Sequence, residues 1–530
     1  MKSPIRIRAL LALLLAALGS GCSSSPRSLV NFAHLDRLCQ EVTIAGQPCT
    51  IVHIYSDAPA YGWTDAAGEG IACVDDVARA AVVYMRAGDG RHRARIRSLL
   101  RFVLLLQNED GTFCNFVHQD LTINREGPTS YASFGFWAAR GYWALGEGYA
   151  FFRERDPAFA AVLRSAFRRC LPQLDTLALA YGNFETIGGR AWPDWLLNRH
   201  AADATSEFLL GAAAFLAVEP DPVLQRHAAR LAEGICAMQA GREPHPATAP
   251  GALLPPEVWP TAQRPEEAGM AGAFYSWPGI WHGWGNGQIQ ALAPLSSLLA
   301  DPELLRRAEY SGRIFLGRML AGGWLHEYDF NAGRAAVFAQ IAYDIRTAAL
   351  GLLALHQATG NPEYALLAGI AASWLTGNNV AGQPLYDAAT GRGYDGIDRE
   401  GVNRNAGAES TIEALFTLIE IEKVPAATAW LQARSTEKLL ENFPNPFNAG
   451  TRISWQLPET GRGSKAEYSL SIYDILGRKV RFLPVNTKSG RGESCWDGRD
   501  DAAAAVSGGV YLLVLEGGGQ RLVRKVLLLR

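Results

Sequence analysis

The chain of 530 residues carries 50 Lys and Arg against 52 Asp and Glu, a formal net charge of −2. That balance, with no local Lys/Arg run, leaves no electrostatic footprint for a polyanion and excludes nucleic acid as a partner. The length exceeds what one core supports, and 48% of the residues are hydrophobic, so more than one domain is expected.

Residues 1–22 open with Lys2, Arg6 and Arg8, continue through an apolar run from Ala9 to Leu18, and end on Gly19-Ser20-Gly21-Cys22. The run is too short to span a bilayer and has the order of an export signal. The small residues before Cys22 resemble a bacterial lipoprotein cleavage site, which implies a lipidated Cys22 and a membrane contact only through that anchor. Leu18 stands one position early for this pattern, and an ordinary signal peptide cut nearby is the alternative. Of eight cysteines, seven remain beyond Cys22, an odd number that leaves at least one thiol free. Cys39 and Cys49 are close enough in sequence to pair, although each cysteine also reads as a small buried hydrophobe. No Cys/His spacing reads as a zinc site, and no metal or cofactor is expected.

Between residues 75 and 421 the chain runs a polar or Gly-rich turn straight into an apolar helical segment six times. The openings are Asp75-Asp76-Val77-Ala78-Arg79, Tyr131-Ala132-Ser133-Phe134, Asp203-Ala204-Thr205-Ser206-Glu207, Gly285-Asn286-Gly287-Gln288, Tyr343-Asp344-Ile345-Arg346 and Gly407-Ala408-Glu409-Ser410-Thr411. Between them lie second helical patterns with a polar side: Arg93 to Gln107, Pro157 to Cys170, Val223 to Gln239, Pro302 to Leu320 and Pro362 to Thr376. Helices apolar all round are buried and those with a polar face look outward, so the alternation predicts an inner and an outer ring. The repeat is long and irregular, which favours closure over an open array. The fold expected is mainly α, an (α/α)6 toroid over residues 23–434.

After about Arg434 alternating strands replace helices, at Thr451–Leu457, Tyr468–Tyr473 and Gly509–Leu515, as in a small β-sandwich. Asn442-Phe443-Pro444-Asn445-Pro446-Phe447-Asn448, Tyr473-Asp474-Ile475-Leu476-Gly477-Arg478, Trp496-Asp497-Gly498-Arg499-Asp500 and Ser507-Gly508-Gly509-Val510-Tyr511 closely resemble the C-terminal Ig-like sorting domain of type IX secretion cargo. The ending Arg524-Lys525-Val526-Leu527-Leu528-Leu529-Arg530 matches it too. The resemblance implies that residues 435–530 are an address read by secretion machinery, and that the protein is exported to the cell envelope, the outer surface or beyond.

Chemistry is then expected where the inner-helix openings converge. The loops there hold Trp63, Trp281, Trp284, Trp324 and Tyr394, whose faces suit sugar rings, among Asp, Glu, Asn and His that suit hydroxyls; the alternative is that some rings only staple loops. The repeat plan, Gly68-Glu69-Gly70-Ile71-Ala72-Cys73-Val74-Asp75-Asp76-Val77-Ala78-Arg79 and Asn403-Arg404-Asn405-Ala406-Gly407-Ala408-Glu409-Ser410-Thr411 resemble the six-hairpin glycosidase superfamily over roughly residues 30 to 425. That resemblance implies a carbohydrate substrate and leaves hydrolase, lyase and epimerase open.

Glycoside hydrolysis needs a protonated and an ionised carboxyl. Asp75 and Asp76 begin the first inner helix, where the dipole favours an anion; Asp76 is the preferred base or hydroxyl ligand, against plain helix capping. Asp344 and Glu409 stand at equivalent places on the fifth and sixth inner helices. Glu327, in an aromatic setting, is the candidate acid. Asp203 and Glu207 share one helix face, one a candidate base and substrate ligand and the other a surface carboxylate. Arg79 is expected to pair within the barrel wall, and His282 and His326 to donate to hydroxyls unless they are structural. Spaced acids from Asp387 to Asp398 lack the order of a calcium loop and read as substrate contact or turn. The leading reading is an exported glycoside hydrolase. A polysaccharide lyase, using Arg190, Arg199, Arg334, Arg392 or Arg404, and a non-catalytic glycan-binding protein are the alternatives, with a sugar epimerase least favoured.

Overall fold

The computed structural model describes residues 28–88, 90–241, 269–431, 440–443, 447, 450–456, 468–474, 478–485, 491–517 and 520–528; Cys22 and the rest of the N-terminal signal lie outside them. Twelve helices among the described residues alternate between two rings. The inner ring is α1 (Val74–Arg86), α3 (Phe136–Phe152), α5 (Ala202–Leu216), α7 (Gln288–Leu298), α9 (Ala342–Thr359) and α11 (Ala408–Glu422). Each packs on the next and α11 closes on α1, while α2 (Arg93–Leu106), α4 (Pro157–Arg168), α6 (Pro222–Ala237), α8 (Pro302–Tyr310), α10 (Pro362–Ala372) and α12 (Pro425–Leu431) back them outside. This is the (α/α)6 toroid.

The two rings start differently. Four outer helices share one device, an Asp or Asn cap followed by Pro: Asp156-Pro157, Asp221-Pro222, Asp301-Pro302 and Asn361-Pro362. The side-chain oxygen takes a backbone N–H of the first turn, and Pro occupies a position whose N–H has no helical partner. Inner helices α1, α3, α5, α7 and α11 have no side-chain cap, so their first turns are left to the loops and to whatever occupies the mouth. Short hairpins rise around that end. Tyr55–Asp57 pairs with Gly62–Thr64, Phe184–Ile187 with Arg190–Pro193, and Glu327–Asp329 lies between Ile280–His282 and Arg334–Ala336.

Small residues in the inner helices let backbones touch. A Cβ at Gly146 of α3 would stand 2.2 Å from the Gly211 carbonyl oxygen of α5, and one at Gly211 would stand 2.5 Å from the Tyr142 carbonyl oxygen. Predicted and observed helices agree within a few residues except after α8. There the single helix expected to Leu320 is α8, a π-helical stretch Ser311–Leu316 and a short helix Gly317–Gly322. Cys39 and Cys49 sit on paired strands and, like the other described cysteines, are free thiols, so the pairing is not made.

The C-terminal strands form a three-stranded antiparallel sheet (Leu440–Phe443, Thr451–Gln456, Arg491–Trp496) and a four-stranded one (Lys479–Leu483, Tyr468–Asp474, Gly509–Gly517, Gln520–Leu528). Ile453, Trp455 and Trp496 of the first meet Leu470, Ile472, Leu513 and Leu515 of the second in one core, a small sandwich. Period-2 alternation turns Leu512 and Val514 the other way, into the helical core, and the helix Gly317–Gly322 packs on the last two strands. No described helix is long and apolar enough to cross a membrane.

Replacing Gly211 by Val should destabilise the fold by about 1–3 kcal/mol or more, because carbonyl groups of a neighbouring helix cannot move aside. Gly62→Ala, whose added methyl meets nothing within 4 Å, should stay within about 0.5 kcal/mol. Chemical denaturation of both variants checks this, and equal midpoints would refute backbone contact as the reason for Gly211.

Candidate functional site

Charged residues are almost never fully buried unless paired, and this barrel buries several at its axis. Arg79 of α1 donates through Nη1 to Glu413 at 2.6 Å and through Nη2 to Asp76 at 2.8 Å and Glu409 at 3.2 Å. Arg346 of α9 donates to the other oxygen of Glu413 at 2.7 Å and to Glu207 at 3.2 Å. Arg140 of α3 holds Asp75 at 2.9 Å and donates to the Tyr343 hydroxyl at 2.5 Å, which donates onward to Glu207 at 3.2 Å. The Tyr343 ring stands amid these cations, with guanidinium carbons 5.0, 5.1 and 4.8 Å from its centroid.

Three cations therefore face five carboxylates, Asp75, Asp76, Glu207, Glu409 and Glu413. The surplus negative charge falls unequally. Burial would raise Glu413, but Arg346 and Arg79 on its two sides hold it below the usual range. Burial pushes Asp76 up to about 6, and Glu409 and Asp75 add to that against the pull of Arg79. At the mouth edge Glu409 keeps 47% of its side chain exposed and Asp75 20%, whereas Asp76 keeps 5%. The pairing expected for Arg79 is present. The surface place expected for one of Asp203 and Glu207 is not: both are buried, Glu207 as the anchor of Arg346 and Tyr343.

A second cluster lies over α5 and α9. Asp344 is buried; its Oδ2 accepts from the Ile341 N–H at 3.2 Å, which caps α9, and stands 3.7 Å from Nδ1 of His326. Burial lifts Asp344 to about 6, and Asp344 in turn raises His326. Gly283 makes room for this carboxyl, since a Cβ there would come within 2.6 Å of Asp344 Oδ1. His282 is fully covered. Its Nδ1 meets the Trp284 carbonyl oxygen at 2.6 Å, its Nε2 stands 3.2 Å from Asp203, and its ring stacks on Trp284 at 3.7 Å. Glu327 is half-buried and stands opposite His282 in the Ile280–His282/Glu327–Asp329 ladder.

The aromatic expectation divides. Trp281 and Trp324 are buried, Trp281 edge-on to Phe315 and lining a cavity beside Asp344. Trp284 and Tyr394 are half-buried, Trp63 is exposed and stacked on His53, and Tyr55 is exposed on the same hairpin with Asp76, Glu69 and Glu409 raising its hydroxyl behind the larger effect of burial. Of the spaced acids from Asp387 to Asp398, Asp387 closes a turn by accepting from Ala389 and Thr390, and Asp395 accepts from Ser410 and Gly407 at the start of α11. Glu185, Asp194 and His200 bring ligand atoms within 4.8 Å of one another, but Arg199 bonds both carboxylates, at 2.9 and 2.7 Å, and balances them without an ion.

Sequence reasoning missed Arg140, Tyr343, Arg346 and Glu413 as members of the site. The available signal was a charge inside an otherwise apolar inner helix, such as Arg140 within Phe136–Phe152.

A carboxyl with a raised folded pKa binds its proton more tightly folded than unfolded, so its favourable contribution is complete below about 3.8 and is lost as pH rises through about 6. Melting temperature should fall over that window, and Asp76→Asn or Asp344→Asn should each flatten the slope, by an amount on the order of 3 kcal/mol per residue. Parallel slopes in wild type and variants would contradict the burial of these acids.

No family model matches the chain, and no curated protein matches it. Solved structures similar to it include cellobiose 2-epimerase from Bacillus thermoamylovorans B4167, at 11% identity and TM-score 0.49 over 74% of this chain and 96% of that one. Cellobiose 2-epimerase from Spirochaeta thermophila DSM 6192 is similar at 14% identity and TM-score 0.46, over 79% and 98%. An inactive variant of the α-1,6-mannanase GH76A of Salegentibacter sp. HEL1_6, in complex with α-1,6-mannotriose, is similar at 12% identity and TM-score 0.40, over 70% and 92%. At such identities and scores these likenesses assign no activity to this chain.

Proposed function

We propose that the chain is a carbohydrate-active enzyme that hydrolyses glycosidic bonds at the barrel mouth. The observation that carries the proposal is that Asp76 and Glu409 share one guanidinium nitrogen, at 2.8 and 3.2 Å, so the bonded oxygens stand at most 6.0 Å apart. Carboxyls about 5–5.5 Å apart suit direct attack and a covalent intermediate, whereas wider pairs leave room for a water between them. Burial favours a protonated Asp76, which reverses the base role expected for it: Asp76 gives the proton to the leaving oxygen, and the exposed Glu409, held by Arg79, attacks the anomeric carbon. Asp75, fixed by Arg140, accepts from a sugar hydroxyl, and Tyr55 offers a ring face beside the pair. A lyase would need a cation for a uronate carboxylate; Arg79, Arg140 and Arg346 are each committed to carboxylates inside the barrel and Arg199 to Glu185 and Asp194, so that alternative rests on Arg190, Arg334, Arg392 and Arg404 of the loops.

A second reading has its own observation. His326, backed by buried Asp344 and 27% exposed, is built to take and return a proton, as aldose epimerisation or isomerisation requires.

Purified protein should release reducing ends from an oligosaccharide with the anomeric configuration retained. Asp76→Asn should cost about 10²–10⁴-fold on natural linkages, and much less on aryl glycosides whose leaving group needs no proton. Glu409→Ala should lose turnover and regain it with azide. Full activity in both variants, or solvent deuterium appearing in the sugar and lost in His326→Ala, would replace hydrolysis with the second reading.

We also propose export, with residues 1–22 as signal, 23–434 as the catalytic domain and 435–530 as the sorting domain read by secretion machinery. Labelled lipid should be incorporated and lost in Cys22→Ala, and deletion of 435–530 should retain the protein inside the envelope. Surface delivery of the deleted chain would refute the sorting role.

A further inference from the structure

Asp76 divides its oxygens between unlike donors. Oδ1 takes the Arg79 Nη2–H at 2.8 Å, and Oδ2 takes the thiol of Cys73 at 3.3 Å. Cys73 is the N-cap of α1, an extended residue at a position where Ser, Thr, Asp or Asn would ordinarily bond the helix backbone, and its side chain makes no such cap. It is buried, and with Ile54, Ala66 and Phe116 it forms a small apolar cluster separate from the main core. The thiol side of Asp76 is therefore dry. Burial, with Asp76 and Asp75 beside it, pushes the Cys73 thiol well up, so the sulfur keeps its proton and acts as the donor.

We infer that Cys73 is a positioning residue for the proton donor of the proposed hydrolysis: its thiol fixes the orientation of the Asp76 carboxyl while offering a hydrogen bond too weak to hold it ionised. A hydroxyl would fix the same orientation but favour the carboxylate; an apolar side chain would leave the oxygen unheld. The inference rests on reading Asp76 as the acid. The other groups that face Asp76 are Arg79 and Asp75 on α1, Glu409 from α11 and Tyr55 from the preceding hairpin, with Glu413 behind Arg79.

The full chain is compared with Cys73→Ser and Cys73→Ala. A stronger donor lowers the carboxyl's pKa and loss of the donor raises it. The alkaline limb of the pH–rate profile should therefore move toward acid in Cys73→Ser by about half a unit, roughly a threefold loss of rate above the limb, and toward alkali in Cys73→Ala. The same exchange is read without turnover, as melting temperature against pH with and without Asp76→Asn. The expected result is a slope that each Cys73 variant alters only while Asp76 is present. Unmoved limbs and slopes, with a melting offset equal at every pH, would show that Cys73 only fills space and would overturn the inference. Should Asp76→Asn prove fully active, the slope comparison still decides whether Cys73 governs Asp76, and the failure belongs to the hydrolytic reading.

Discussion

Burying arginine is what the centre of this barrel must solve. Arg79 and Arg346 come from different inner helices and grip opposite oxygens of one carboxylate, Glu413, on a third. Such a group has no tolerable arrangement outside the closed ring, because removing one partner strands a charge in a dry interior at a cost of several kcal/mol. Closure and charge pairing thus require each other. The network ties α1, α3, α5, α9 and α11 at the level of their buried second turns, and this holds Asp75, Asp76 and Glu409 in fixed relation.

The same constraint explains why the carboxylates differ in character although all lie in the first two turns of inner helices. Glu413 lies between two cations and is held ionised; Asp76 shares one cation with two other acids and is not. Distance from the sequence's helix starts says nothing of this. What matters is how many guanidinium hydrogens each acid receives, and that follows from the sum of charges in a volume sealed from water.

Much of the architecture could be read from the chain before any coordinates. The alternation of all-apolar and one-sided helices marked both rings. The strands after Thr451 were likewise visible as period-2 alternation. Side-chain roles at the mouth were less legible. Trp281 and Trp324 sit in loops rich in sugar-binding residue types yet turn inward, and Asp203 and Glu207, four residues apart on one face, are both enclosed because α5 has no solvent-facing side. Burial on a ring depends on neighbours far along the chain, such as the approach of Gly211 to Gly146, and local spacing does not encode it.

The C-terminal sandwich is joined to the barrel by more than its connecting segment. Leu512 and Val514 leave the sandwich's own interior and enter the helical core, against the region where the outer ring is interrupted by a π-helical stretch. Taking the sandwich away would bare an apolar patch on the barrel and on the four-stranded sheet at once, and such patches drive association. The sandwich thus acts as a detergent-like cover for the barrel, and trimming it away would trade a dispersed particle for an adhesive one.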